Sequence, residues 1–221
     1  MITVSKEDYL KAVLEAQSEG QTVISATLAH WLSVSAPAVT MALRRLKRDG
    51  FVQVGTDGIV QLTARGREIA QHTMLRHHLV ERMLAEMFGM EWYRVHDEAE
   101  RLEHAISPEF EARLLKKLGS KGACPHGNPI LPESPAARRK RGLKLLSEAE
   151  PGTHCAISCF FERDRKLLEF LHSHGLAPGG KIRVISVNYD ETVTIETGGK
   201  RVSLGRPAAG KVWVAPGKNN S

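Results

Sequence analysis

Residues 33–66 read SVSAPAVTMALRRLKRDGFVQVGTDGIVQLTARG, and the punctuation of this stretch decides the fold. Ser33-Val34-Ser35 is a polar turn. Ser35 can cap a helix with Pro37 in its first turn, where a missing N–H costs nothing, and Val39, Leu43 and Leu46 face inward at helical spacing. Asp49-Gly50 ends that helix. Phe51–Val54 and Ile59–Leu62 then flank Gly55-Thr56-Asp57-Gly58, a strand–turn–strand hairpin. Arg44, Arg45, Lys47 and Arg48 crowd the helix, so it carries a basic face.

Upstream, Tyr9, Leu10, Val13 and Leu14 form a helical stripe over residues 5–18, stopped by Glu19-Gly20. Ile24, Leu28, Ala29 and Leu32 mark a second helix. Downstream, Thr63-Ala64-Arg65-Gly66 opens a longer one, running to residue 87. Helix, helix, turn, basic helix and two-stranded wing is the order of a winged helix-turn-helix; the bland rival is a three-helix core with a solvated basic face. In such a reader the N-terminal residues of the basic helix meet base edges. Ser35, Pro37, Ala38, Thr40 and Met41 occupy that end. Ala38 and Met41 can touch thymine methyls, Ser35 and Thr40 can bond phosphates or base edges, and Arg44 and Arg48 suit phosphates. Ser25 and Ala26 can offer backbone N–H groups at a helix start.

The remaining chain divides further. Residues 92–106 predict a helix, Ser107 caps another over 108–118, and 119–135 is a Gly-, Pro- and Ser-rich connector. Residues 136–149 look like a short basic helix in a linker. A strand over 153–160, a helix over 162–174 and β runs at 181–188, 192–197, 201–204 and 211–214 predict a small β-barrel. The chain is therefore mainly α with small β parts. Its expected units are a winged helix-turn-helix at 1–72, a helical dimerisation and metal-binding domain at 73–135, a linker at 136–150 and a β domain at 151–217.

With 221 residues and a net charge of +6, the chain is soluble in composition, and its basic end is compatible with a polyanionic partner. No apolar run approaches bilayer length, and MITVSKEDYLKAV enters an amphipathic pattern with acidic residues rather than a leader. Three cysteines argue against a disulfide framework and fit a reducing cytoplasm.

The chemistry gathers in HDEAERLEH, residues 96–104. At roughly 100° per residue, His96, Glu100, Glu103 and His104 share about a third of a helix circumference. On the preceding helix His77 and Glu81 are spaced i,i+4. Six imidazole and carboxylate donors converging from two helices need a cation, and a thiolate-free set suits Mn²⁺, Fe²⁺, Co²⁺ or Zn²⁺. The alternative is a solvated acidic face with incidental histidines.

EDYL (7–10), SAPAVTMALRRLKRDG, LTARG, RHHLVE (76–81), VHDEAERLEH (95–104) and CPHGNPI (124–130) together resemble the diphtheria toxin repressor and manganese transport regulator family. PGTHCAI and GLAPGGKIRVI resemble the SH3-like domain that many members append. The resemblance implies a metal-dependent homodimeric repressor reading a palindromic operator, acting on metal-uptake genes. It implies one regulatory site from Asp8, Glu100, Glu103 and His104, and a second from His77, Glu81 and His96. The second is completed in some relatives by the SH3-like domain, with Asp164 the expected ligand here and Glu162 or Glu169 as alternatives. Iron-responding members carry Met and Cys where this chain has Asp8 and Glu100; hard oxygens favour Mn²⁺ over Fe²⁺, with Co²⁺, Cd²⁺ or Zn²⁺ able to substitute. Lys11 stands where tail-less manganese regulators often have Glu. A charged Lys cannot ligate, so two separated sites are expected rather than a binuclear one.

Cys124-Pro125-His126 reads as a structural connector. Cys155 and Cys159 are expected as buried thiols, Trp31, Trp92 and Trp213 as core or interface anchors, and His172-Ser173-His174 as a solvated helix end. Leu79, Met83, Leu84, Met87, Phe88 and Trp92 suit either a dimer interface or an internal core. The rival classes are a carboxylate-bridged metalloenzyme, for which no general acid or base is apparent, and a metal-independent DNA-binding protein.

Overall fold

A computed structural model describes residues 3–217. Met1 and Ile2, which open the stretch considered for a leader, lie outside the described residues.

The N-terminal unit runs α1 (Val4–Ser18), α2 (Ser25–Trp31), α3 (Ala36–Arg48), β1 (Val52–Val54) and β2 (Val60–Leu62). Ser35 caps α3 by accepting from the Ala38 N–H, and Val39, Leu43 and Leu46 are buried as their spacing required. β1 and β2 pair antiparallel, Val52 opposite Leu62, to make the wing. Thr63 ties the wing to α4 (Ala64–Phe88): its hydroxyl caps Gly66 N–H and donates to the Gly50 carbonyl at 2.8 Å. Gly66 is required there, since a Cβ would fall 2.0 Å from the Phe51 carbonyl oxygen. Leu10, Val13, Leu28, Leu46, Val60 and Met74 anchor the core beneath.

α4 carries the chain into the middle unit, which adds α5 (Val95–Leu102) and α6 (Pro108–Leu118) around Leu79, Val80, Val95, Ala99 and Leu114. α5 is shorter than its sequence pattern. Trp92 and Tyr93 form a turn instead because the C-terminal unit recruits their rings: Trp92 stacks on Phe160 and Tyr93 on His172, at 5.4 and 4.3 Å. Glu103 is the C-cap of α5 and His104 lies beyond it. Thus His172 is not merely solvated, although it is exposed.

After α7 (Pro135–Lys140) come β3 (Lys144–Leu145), a short 3₁₀ turn (Leu146–Glu148), β4 (His154–Phe160), α8 (Arg165–Ser173), β5 (Lys181–Val187), β6 (Val193–Thr197), β7 (Lys200–Leu204), α9 (Arg206–Ala209) and β8 (Val212–Pro216). The strands form one antiparallel sheet in the order β3-β8-β4-β5-β6-β7. β3 and β7 are its edges, and the sheet makes the small SH3-like β unit that was expected. Residues 144–148, expected in the linker, belong to this unit because Leu146 is buried in its core.

The Cys124–Asn128 turn is clamped onto β4. The His126 carbonyl accepts from Phe160 N–H at 3.0 Å, and the Asn128 side-chain amide donates to the Phe160 carbonyl at 2.9 Å. Gly127, at φ +87°, permits the approach: a Cβ would meet the Ser158 carbonyl at 2.1 Å. Arg138 donates to Glu19, the C-cap of α1, and to the Asn128 oxygen and lies over Trp213, so it touches all three units. Among the described residues no single helix is long and apolar enough to cross a membrane.

Candidate metal centre

α1 brings Asp8 against the end of α5. His104 bonds Glu7 Oε2 through Nδ1 at 2.9 Å and Asp8 Oδ1 through Nε2 at 2.7 Å, and its Nε2 lies 3.2 Å from Glu103 Oε1. One donor atom from each of Asp8, Glu103 and His104 fits within 4.8 Å of the others. The hydrogen bond to Glu103 lifts His104 to a pKa of about 9, with the Asp8 charge adding to it against burial. Burial raises Asp8, although His104 pulls it down. An imidazolium therefore supplies the positive charge that these carboxylates require.

Glu100, expected in this site, is not in that group. Its Oε1 accepts from Lys11 Nζ at 2.9 Å and from Arg163 Nη1 at 3.2 Å. Lys11 is only 2 % exposed and also donates to both oxygens of Glu103, at 2.6 and 2.8 Å. Burial opposes its charge, but Glu15, Glu103 and Glu100 more than compensate and hold its pKa above the ordinary value. A buried ammonium with this many carboxylates is a fixed internal cation; removing one partner of such a pair costs about 3–5 kcal/mol.

His77 joins this cluster to a second one. Its Nδ1 lies 2.6 Å from Glu103 Oε2, and its Nε2 lies 3.0 Å from both Glu81 Oε1 and His96 Nδ1. Burial and Lys11 work against protonation, yet Glu81 and the bonds to both carboxylates push its pKa up to about 10. His77, Glu81 and His96 are thus brought together as expected, and all three are buried.

The same Glu81 faces Glu162, an alternative ligand of the sequence analysis, together with His78 and the Cys124-Pro125-His126 turn that was read as a structural connector. Its Oε1 is 3.4 Å from His126 Nδ1, and His78, Glu81, Cys124 and Glu162 place one donor atom each within 4.8 Å. Cys124 Sγ is 3.5 Å from Glu162 Oε2, and His78 Nε2 is 3.4 Å from Glu162 Oε1. Glu81 Oε2 and His126 Nε2 are buried without a hydrogen-bond partner among the described residues. Buried orphans are rare, and an acceptor and an imidazole nitrogen left open beside a thiol suit a cation. Burial, then the Glu81 and Glu162 charges, raises the Cys124 thiol well above its usual range, so it ionises only when a cation is present.

Asp164 does not reach this cluster. It caps α8 through the Leu167 N–H and pairs with Lys211 at 2.6 Å, whereas Glu162, given as an alternative to it, lies in the cluster. Glu169 pairs with Arg165 on the exposed face of α8. The signal for Cys124 and His126 was present in CPHG, but two donors in a turn are weak until the turn is known to pack on Glu81.

On the N-terminal unit, Ser35, Pro37, Ala38, Thr40, Met41, Arg44 and Arg48 are all exposed along α3, while Ser25, partly buried, and Ala26 open α2. Thr40 spends its hydroxyl on the Ala36 carbonyl, and Arg48 bonds Asp49. Of the apolar set that could have formed an interface, Leu79, Met83 and Leu84 are internal core and Trp92 docks the SH3-like unit. Met87 and Phe88 remain exposed, Phe88 at 70 %.

Three family models match in order. Residues 1–59 match the iron dependent repressor N-terminal DNA binding domain, 63–132 the iron dependent repressor metal binding and dimerisation domain, and 144–216 the FeoA domain. The "Iron-dependent repressor IdeR" of Mycobacterium leprae (strain TN) is 32 % identical, covering 94 % of this chain and 95 % of its own. A solved manganese-dependent transcriptional repressor in complex with manganese superposes with TM-score 0.83 at 33 % identity, covering 96 % of this chain and 99 % of that one. The manganese regulator SloR gives TM-score 0.79 at 26 % identity, covering 96 % and 98 %.

Proposed function

The chain belongs to the iron-dependent repressor family, and from that premise we propose that it is a manganese-dependent DNA-binding repressor switched at the Asp8–Glu103–His104 cluster. It is a transcription regulator and not an enzyme. The observation that carries the reading is the position of Asp8. It lies on α1 of the DNA-binding unit, while Glu103 and His104 belong to the metal-binding and dimerisation unit, and their donor atoms converge.

A divalent cation supplies there the charge that carboxylates from two units need in order to stay together. The chain's own residues do the rest. Asp8 ties the orientation of α1, and hence α3, to the end of α5. His104 would hold that cation through a ring nitrogen only as the neutral imidazole, its proton passing to solvent. Glu100 stands one turn away to complete the set. Holding the reading heads of a homodimer at one separation lets them meet both halves of a palindromic operator, and operator DNA must in turn tighten metal binding. Met87 and Phe88, exposed at the end of α4, suit the dimer seam.

Oxygen-rich donors favour Mn²⁺, which gains least from sulfur. Fe²⁺ is the second reading, favoured by the iron-dependent relative. Ser35, Pro37, Ala38, Thr40, Met41, Arg44 and Arg48, with Ser25 and Ala26, make the DNA face. The second cluster, from His77, Glu81, His96, Cys124, His126 and Glu162, is an auxiliary site for a softer cation, with Zn²⁺, Cd²⁺ and Co²⁺ as candidates. A cytoplasmic repressor of metal-uptake genes follows from this reading. Gel-shift titrations on the promoter of a manganese-uptake gene, with chelator, then Mn²⁺, then anaerobic Fe²⁺, test it. Mn²⁺ should restore binding at the lowest free concentration; binding indifferent to chelator ends the proposal.

A further inference from the structure

Arg163 follows Glu162 in the segment between β4 and α8, and it reaches from the SH3-like unit to Glu100 beside the first cluster. Its Nη1 donates to Glu15 of α1 at 2.7 Å and to Glu100 of α5 at 3.2 Å. Its Nη2 donates to the Trp31 carbonyl at the end of α2 at 3.1 Å, and the guanidinium lies over the Trp31 ring. One side chain thus touches the DNA-binding unit and the metal-binding unit from a third.

Glu100 Oε1 accepts from two permanent cations, Lys11 and Arg163. They are not equivalent. Lys11 is sealed in the core and holds Glu103 as well, whereas Arg163 borders the wide cleft also lined by Asp8, His96, Glu100 and His104. A guanidinium stays charged at any accessible pH, so its repulsion from a dication at the same carboxylate cannot be titrated away. Released from Glu100, it keeps Glu15 and the Trp31 carbonyl as partners.

We propose that Arg163 is an affinity-setting residue: a cation lent by the SH3-like unit that competes with the divalent metal for Glu100. This rests on the reading of the Asp8–Glu103–His104 cluster, with Glu100, as the regulatory metal site. The metal threshold of the switch is then written partly in the C-terminal unit, which supplies its own counter-ion to a carboxylate of the middle unit. Glu100 is partly exposed, so screening limits the effect to about tenfold.

The test is calorimetric titration of the full-length metal-free protein with Mn²⁺ for wild type, Arg163→Gln, Arg163→Lys and, as control, Glu103→Gln. Arg163→Gln should bind about tenfold tighter, and Arg163→Lys, which keeps the charge, should stay within about threefold of wild type. Unchanged or weaker binding by Arg163→Gln overturns the proposal, the latter meaning that Arg163 orients Glu100. Should that variant fail to fold, arginine-labelled wild type answers the question by NMR with diamagnetic Cd²⁺. The Arg163 Nε–H resonance must shift as the second equivalent fills the first cluster, the softer second cluster having taken the first, and a resonance unmoved at saturation overturns the proposal. If wild type takes up no Mn²⁺, or Glu103→Gln binds as well as wild type, the metal-site reading itself has failed. If only Arg163→Gln is silent, competition alone has failed.

Discussion

Asp8, Glu103 and His104 meet where the DNA-binding unit touches the middle unit, with an open cleft on one side; Glu81, Cys124, His126 and Glu162 meet, buried, where the middle unit touches the SH3-like unit. The first cluster is hard, made of oxygen and imidazole, and is charge-compensated by Lys11, Arg163 and its own histidine protons. The second contains a thiol and keeps two orphaned atoms. An open, hard, proton-compensated site can exchange its cation and follow a free concentration. A closed, softer one with unsatisfied groups gains more from being filled and exchanges slowly. The two seams of the molecule are therefore suited to sensing and to holding, and His77, bonded to Glu103 and Glu81, couples them.

The largest expected effect comes from removing one donor at each seam and comparing the readouts. Glu103→Gln should raise the Mn²⁺ concentration needed for operator binding by more than about 100-fold, because it deletes a donor and strips Lys11 of its closest partner. Cys124→Ser should leave that response within about threefold while weakening the tightest Zn²⁺ or Cd²⁺ binding about 10- to 100-fold, the loss of a soft donor. Calorimetry with each metal and gel shifts on the same preparations measure both. If Cys124→Ser abolishes the Mn²⁺ response, the division of labour is wrong.

The elements of the DNA-binding unit were legible because local signals agreed with one another. Ser35, Pro37 and Asp49-Gly50 bound α3 wherever it packs, and Phe51–Val54 and Ile59–Leu62 pair across a turn only four residues long. The donors of α4 and α5 were legible for the same reason, since helical spacing places His77 and Glu81 on one face. What escaped depends on contacts between units. Nothing local shows that Trp92 leaves α5 to stack on Phe160, that the CPHG turn packs on Glu81, or that Asp164 is used as a helix cap. Lys11 was expected to be no ligand, because a charged ammonium has no lone pair to give. Its role as a buried cation between two carboxylates follows only once α1 is laid against α5.

A smaller effect separates the clusters by pH. His104 and His77 have folded-state pKa values of about 9 and about 10, above the ordinary histidine value near 6.5. The charged groups facing them are Glu7, Asp8 and Lys11 from α1, Glu81 from α4, and Glu100 and Glu103 from α5 or its cap. A raised histidine contributes stability that is fully present below pH 6.5 and is lost as pH climbs through 9 to 10. The metal-free protein should therefore melt roughly 5 °C lower at pH 9.5 than at pH 6.5. Over the same interval Mn²⁺ should bind progressively tighter, because fewer protons have to leave. Melting curves with chelator and with Mn²⁺ check both directions. A metal-free melting point that rises with pH would show that these histidines are neutral in the folded state.

The smallest effect probes how each seam is held. Trp92 lies in the turn before α5, stacks on Phe160 of β4 and meets His126 edge-on at 6.0 Å. It therefore positions two residues of the second cluster, His126 directly and Glu162 through β4, while touching none of Asp8, Glu103 or His104. An aromatic pair of this kind contributes about 0.5–1.5 kcal/mol, so Trp92→Leu, which keeps an apolar group in the turn, should weaken Zn²⁺ or Cd²⁺ binding at the second cluster about three- to tenfold. The Mn²⁺ concentration for half-maximal operator binding should not move, because the contacts between α1 and α5 do not pass through this ring. If that concentration rises as much as the Zn²⁺ affinity falls, the SH3-like unit communicates with the sensing seam through Trp92 and α5, in addition to the Arg163 contact. The two clusters would then be one cooperative centre joined through His77, rather than a sensor beside a store.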